Sequence, residues 1–287
     1  MTDRLFRISL AQWSLHRMLR GGALDPLDFP RFSFDEFGIE GVEYVSTFYR
    51  DHALDYNYLE ELRERAEAAG VTELLIMVDH EGDLGDPDPH ERLAAVENHH
   101  KWVDAAHFLG CHAIRVNAKS AGPADTQRKL AANGLHRLTD YAAEKDIDVL
   151  VENHGGLSSN GAWLASVMEL VNNPRCGTLP DFGNFCLDWA KRDDPAMWYD
   201  RYQGVRELMP FARAVSAKSN DFDDATGEET GTDFHEMLQI VLNGGYRGPD
   251  KWVGIEYEGE RLTEVEGIRR TKALLERVRD ALTPAYA

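Results

Sequence analysis

Glu152, Asp181 and Glu256 are the residues whose types and placement point most directly to chemistry. Each stands at or just past the end of a short apolar run: Val149-Leu150-Val151 before Glu152, Cys176 to Pro180 before Asp181, and Trp252 to Ile255 before Glu256. A lone carboxylate is costly to bury, so three in this position suggest a shared divalent cation or shared proton chemistry. An enzyme is the reading that follows.

The elements that must position them alternate along the chain. Eight β-branched or aliphatic runs can be marked: Phe6 to Ser14, Gly38 to Val45, Leu74 to Val78, Ala113 to Asn117, Asp148 to Asn153, Gly177 to Asp181, Ala212 to Ser219 and Trp252 to Tyr257. Stretches of helical period lie between them, such as Leu59, Leu62 and Ala66 closed by Gly70. Continuous apolar runs alternating with helices describe a parallel sheet covered by helices, and eight of them imply closure. The expected fold is α/β, a single (β/α)8 TIM barrel spanning residues 1–287, without a linker to mark a second domain. No G-x-G-x-x-G follows an early strand, which disfavours the open dinucleotide-binding alternative.

In such a barrel the C-terminal strand ends share one mouth. Those ends supply Trp13, His16, Glu43, Asp79, His80, Arg115, Asn117, His154, Asn184, Ser216, Lys218 and Glu258 besides the three carboxylates. Structural roles compete with catalytic ones: Glu152 can pair with Arg115, Glu256 with Lys218, and Asp181 can cap the Asp-Phe-Gly-Asn turn. His99, His100 and His107 fall inside a helix and read as packing or surface residues.

The chain has 287 residues, 43% of them hydrophobic, and a formal net charge of −19. That charge repels phosphate backbones and anionic membrane surfaces, so neither nucleic acid nor membrane is an expected partner. No stretch approaches the roughly 18 apolar residues of a membrane span. Cys111, Cys176 and Cys186 lack metal-site spacing and sit among apolar or small neighbours, which fits a reducing, cytoplasmic location. Trp198, Tyr199 and Tyr202 either cover the barrel or form the surface of a homo-oligomer.

Val-Glu-Asn-His at 151–154, Pro-Asp-Phe-Gly-Asn at 180–184 and Gly-Ile-Glu-Tyr at 254–257 resemble the xylose isomerase-like superfamily of sugar isomerases and epimerases. That superfamily includes tagatose and psicose epimerases, hydroxypyruvate isomerase, inosose dehydratase and endonuclease IV. The resemblance implies a divalent metal, Mn2+ or Mg2+ with Zn2+ or Co2+ as alternatives, held by Glu152, Asp181 and Glu256. It also implies that Glu152 and Glu256 transfer protons, while His80, Arg115, Asn117, His154, Asn184 and Lys218 orient a small sugar or sugar derivative. Many relatives read His-x-Lys-Asp on the seventh strand. Here the segment is Ser216-Ala217-Lys218-Ser219, so the fourth metal ligand is unassigned. The implied reaction is isomerisation or epimerisation through an enediolate. The alternatives are a lyase acting on a keto-sugar or keto-inositol, and a barrel that binds sugar without turning it over.

Overall fold

The structure is a computed structural model and describes residues 4–248 and 250–286. Its strands are β1 (Arg7–Ala11), β2 (Gly41–Val45), β3 (Thr72–Met77), β4 (Ala113–Asn117), β5 (Asp148–Glu152), β6 (Cys176–Leu179), β7 (Val215–Ser219) and β8 (Trp252–Tyr257). The helices are α1 (His16–Arg20), α2 (Phe29–Phe37), α3 (Tyr56–Ala68), α4 (Pro89–Leu109), α5 (Ala124–Ala143), α6 (Gly161–Val171), α7 (Arg201–Leu208), α8 (Phe234–Asn243) and α9 (Glu264–Tyr286). Local signals set their ends. At α4, the Asp88 side chain accepts from the His90 and Glu91 amides, Pro89 occupies the first turn, and Gly110 leaves the helix at φ 76. Among the described residues no helix is long and apolar enough to cross a membrane.

All pairings in the sheet are parallel, in the order β6-β5-β4-β3-β2-β1-β8-β7. The ring closes between β6 and β7 through a thin seam. The Arg213 amide donates to the Thr178 carbonyl at 3.0 Å, the Ser216 amide to Pro180 at 2.9 Å, and the Phe182 amide to Ser216 at 3.1 Å. Asp181 and Ser216 are therefore paired backbone to backbone at the point of closure. This is the eightfold barrel expected from the alternation of runs and helices.

Two apolar clusters account for the core. The larger lies between sheet and helices, and the smaller fills the barrel with Ala11, Val45, Leu75, Met77, Ala113, Leu150, Leu179 and Ala214. Four of those eight are alanine or valine, so the interior has room for polar groups. Glu43 uses that room. The sequence places it among the strand-end residues, but it stands in the middle of β2 and points into the barrel, away from the mouth. Its Oε1 accepts from the Ser9 hydroxyl at 2.6 Å, and Oε2 has no hydrogen-bond partner among the described residues. Opposite it, β8 offers only Gly254; a Cβ there would lie 2.5 Å from the Glu43 carboxylate.

Burial pushes the Glu43 carboxyl up to about 7, against the pull of the Ser9 hydroxyl and with Glu256 and Glu152 adding to the rise. The folded chain thus holds this proton more tightly than the unfolded one. The stability it contributes is complete below the unfolded value of 4.5 and is lost as pH rises through about 7. Glu43→Gln, which keeps the shape and does not titrate, is expected to lose roughly 3 kcal/mol less stability than the parent between about pH 4 and pH 8. Urea unfolding across that range measures the difference; parallel pH profiles would contradict it.

Candidate metal centre

The three carboxylates named first do converge. Glu152, the last residue of β5, Asp181, just beyond β6, and Glu256, near the end of β8, are all buried, and one oxygen from each lies within 4.8 Å of the other two. Parallel strands bring this about, because every C-terminal end reaches the same mouth.

Each carboxylate keeps part of its bonding capacity for the protein. Asp181 Oδ1 accepts from the Gly183 amide at 2.8 Å and the Asn184 amide at 2.7 Å, capping the turn. Its other oxygen, Oδ2, faces the cluster. Asn184 Nδ2 donates to Glu152 Oε1 at 2.8 Å. Arg115 Nε lies 2.7 Å from Glu152 Oε2, close enough for an ion pair, but the groups are not aligned into a hydrogen bond. Glu152 Oε2 is thereby left as a buried oxygen that accepts no hydrogen bond among the described residues. The turn cap and the Arg115 pairing both exist alongside the convergence of the three carboxylates.

Ser216 resolves the seventh-strand position. Its hydroxyl oxygen lies 2.8 Å from Asp181 Oδ2 and 2.9 Å from Glu256 Oε2. A hydroxyl carries one hydrogen, so both contacts are hydrogen bonds only when one of the carboxyl groups is protonated and donates. Burial pushes Asp181 up to about 7, opposed by Lys218 and reinforced by Glu256 and Glu152. Burial also pushes Glu152 to about 7, against the pull of Arg115.

Two cations are buried with the acids. Lys218 Nζ lies 3.1 Å from Glu258 Oε2, 3.4 Å from Glu256 Oε1 and 3.9 Å from Asp181 Oδ2, and donates to Asn184 Oδ1 at 3.3 Å. Burial alone would lower its affinity for a proton, but these carboxylates hold it well above the usual lysine value. Arg115 Nη1 donates to Asp79 Oδ1 at 2.9 Å, and Asn117 Nδ2 donates to the same oxygen at 2.9 Å. Against the cost of burial, Arg115 with His154 behind it draws Asp79 down to about 2. Trp13 Nε1 donates to Glu258 Oε1.

The structure separates the remaining candidates. Arg115, Asn184 and Lys218 touch the cluster or its partners; Asn117 reaches it only through Asp79 and Arg115. His154 is exposed at the mouth, where partial burial and the charges of Arg115 and Lys218 lower its proton affinity. His80 is exposed in a left-handed backbone conformation, φ 66, and the structure does not bring it to the cluster. Asn153 was not singled out from the sequence. Its buried amide donates to the Asp181 and Asn184 carbonyls at 3.0 and 3.2 Å and accepts from the Asp181 amide at 2.8 Å, tying β5 to the turn after β6. A polar amide directly after a buried carboxylate was the available signal.

The donor set suits a hard divalent cation. It is all oxygen, and Mg2+, Mn2+ or Ca2+ bonds of about 2.0–2.6 Å place ligand atoms on opposite sides of the ion about 4–5 Å apart. The 4.8 Å limit satisfies that spacing, and the unpartnered Glu152 oxygen supplies a free donor. Ser216 belongs to this arrangement as a bridge between two carboxylates, which is a different task from that of an imidazole ligand. In metal-free protein, Ser216→Ala leaves those oxygens facing each other without the bridge and should cost about 1–3 kcal/mol of stability. Chemical unfolding in chelator reads this directly; an unchanged or raised stability would show that the bridge is not formed.

Comparison with known proteins gives the same fold as the strand order and closure. The family described as xylose isomerase-like TIM barrel matches residues 34–280. No curated protein matches the chain in sequence. Among solved structures it is similar to 3-keto-D-glucoside 4-epimerase from E. coli in its apo form, with a TM-score of 0.70, 17% identity, and coverage of 95% of this chain and 99% of that one. It is similar to a xylose isomerase-like TIM barrel protein from Mycobacterium smegmatis in complex with magnesium, with a TM-score of 0.68, 19% identity and 98% of each chain covered. A third likeness is to the probable 3-DHS dehydratase of petrobactin synthesis from Bacillus anthracis, with a TM-score of 0.65, 16% identity, and 95% and 100% covered. With the family match covering most of its length, the chain belongs to the xylose isomerase-like TIM-barrel family.

Proposed function

We propose that this protein is a divalent-metal-dependent sugar isomerase or epimerase that works by proton abstraction next to a carbonyl. The observation that carries the reading is the meeting of three buried carboxylates at the barrel mouth, oxygens within 4.8 Å, with two buried cations beside them. The similarity in fold to an epimerase and to a magnesium-bound barrel supports it. Glu152, Asp181 and Glu256 would hold the cation, Mn2+ or Mg2+. When bound, it would polarise the substrate's carbonyl and lower the charge cost of the enediolate.

The chain's own residues divide the remaining work. Glu152, raised by burial to about 7, has an affinity for protons suited to a general base at neutral pH. Glu152 and Glu256 are the two proton-transfer groups: one removes the proton on carbon and the other returns it, or a single base returns it to the neighbouring carbon. Asn184 steadies Glu152 through Oε1. Arg115 and Lys218 keep positive charge beside the reacting atoms, where negative charge develops. His154, exposed at the mouth, would orient substrate hydroxyls.

A lyase would begin with the same abstraction and then expel a hydroxyl. That second step needs an acid. The Glu that carries the abstracted proton can supply it, so loss of water from the substrate, read by mass, separates a lyase from simple proton return.

Glu152→Gln is expected to reduce exchange of the substrate's α-hydrogen with solvent deuterium by roughly 10^2–10^4-fold, with the unfolding midpoint kept or raised because a buried charge is removed. NMR of a keto-sugar panel in D2O follows the exchange. Parent-like exchange in this variant would remove Glu152 from the mechanism.

A further inference from the structure

A second space lies at the opposite end of the barrel. A cavity of about 930 Å3 opens where the strands begin, with Asp148, Cys176 and Trp252, the first residues of β5, β6 and β8, on its walls. None of the three clustered carboxylates lines it. Reacting groups in eightfold barrels collect at the other mouth, so this space stands apart from the proposed reaction.

Glu43 forms part of its inner wall. The Glu43 carboxylate is buried over Gly254, takes one hydrogen bond, from Ser9, and leaves Oε2 without a partner among the described residues. A buried carboxylate oxygen without a donor is costly, and a donor brought by a ligand removes that cost. The other charges of the lining decide what kind of donor it is. Asp148 is held by Arg175 and Arg213, both at 3.2 Å. Burial lowers the proton affinity of His112 against the pull of Asp148, which leaves the imidazole neutral. Lys251 is then outnumbered by Glu43, Glu169 and Asp250, none of which has an ion-pair partner among the described residues. Tyr246 and Trp252 add aromatic faces of the kind that hold cations: Lys251 Nζ lies 5.5 Å from the centroid of the first, and the Arg7 guanidinium 3.9 Å from that of the second.

We infer that this N-terminal mouth is a binding site for a primary amine with an apolar body, its ammonium donating to Glu43 and its body lying against Met168 and Phe211. The volume falls within the ~300–1,000 Å3 of small-molecule sites. An alcohol would give Oε2 a donor but leave the excess of acid unanswered, and an organic anion would add to that excess. The inference is independent of the isomerase or epimerase reading.

Three probes of one shape and different charge test it: 2-phenylethylamine, 2-phenylethanol and 3-phenylpropanoate. Each is titrated into protein labelled with carbon-13 at the methionine methyls, at pH 8, above the value of about 7 to which burial raises Glu43 and below that of an alkyl amine. The Met168 methyl, assigned with Met168→Leu, reports from the cavity wall. The amine should shift that signal with at least tenfold higher affinity than the alcohol or the acid, and Glu43→Gln should abolish the preference. An unmoved Met168 signal, an alcohol or acid that binds as tightly as the amine, or a preference that survives Glu43→Gln overturns the proposal. Where Glu43→Gln does not fold, the ranking of the three probes at Met168 in the parent protein decides alone.

Discussion

Three carboxylates confined within 4.8 Å and shut away from water set the terms for everything around them. At an effective dielectric near 20, two full negative charges at that separation repel by about 3–4 kcal/mol, before the cost of removing each from water. Arg115 and Lys218 offset part of this from opposite sides, and Asn184, the turn amides and the Ser216 hydroxyl take up lone pairs. The two cations are themselves anchored outward, Arg115 to Asp79 and Lys218 to Glu258, which Trp13 holds in turn. Charge balance at the centre thus propagates to the strand ends around the mouth.

The same residues close the fold. Asp181 and Ser216 are a backbone pair at the β6–β7 seam and a side-chain pair within the cluster. β6 has only four residues, so the seam leans on these few hydrogen bonds. A barrel interior lined largely with small residues adds a second layer below, where Glu43 sits in the space that Gly254 leaves open. With a proton held there, Glu43 adds no further negative charge beneath the cluster.

Much of the barrel was legible because strands buried on both faces read as unbroken apolar runs; β4 and β8 match their runs at both ends. The first run overshot, since Gln12–Leu15 turns into a 3-10 helix, and the sixth run began one residue late and extended past Leu179 to Asp181. The three carboxylates were legible for the same reason that they are costly: charge directly after an apolar run is rare without a purpose. Glu43 was misplaced because the run Gly38 to Val45 does not say whether an acid inside it faces the mouth or the interior. Ser216 looked like a missing ligand in one dimension and is a bridge in three. Trp198 read as barrel cover or as an oligomer surface. Trp189 was not singled out from the sequence, and its edge-to-face contact with Trp198 depends on how a long loop folds back, which short-range pattern does not carry.

The central claim is that this cluster is a cation site, and it is tested most directly by a crystal structure from protein loaded with Mn2+, with anomalous differences recorded near the manganese edge. The account predicts a single strong peak within about 2.0–2.6 Å of oxygens from Glu152, Asp181 and Glu256, with Ser216 still bonded to the carboxylates rather than to the ion. Saturating Mn2+ with no peak at that position, or with Lys218 Nζ occupying it, would contradict the account.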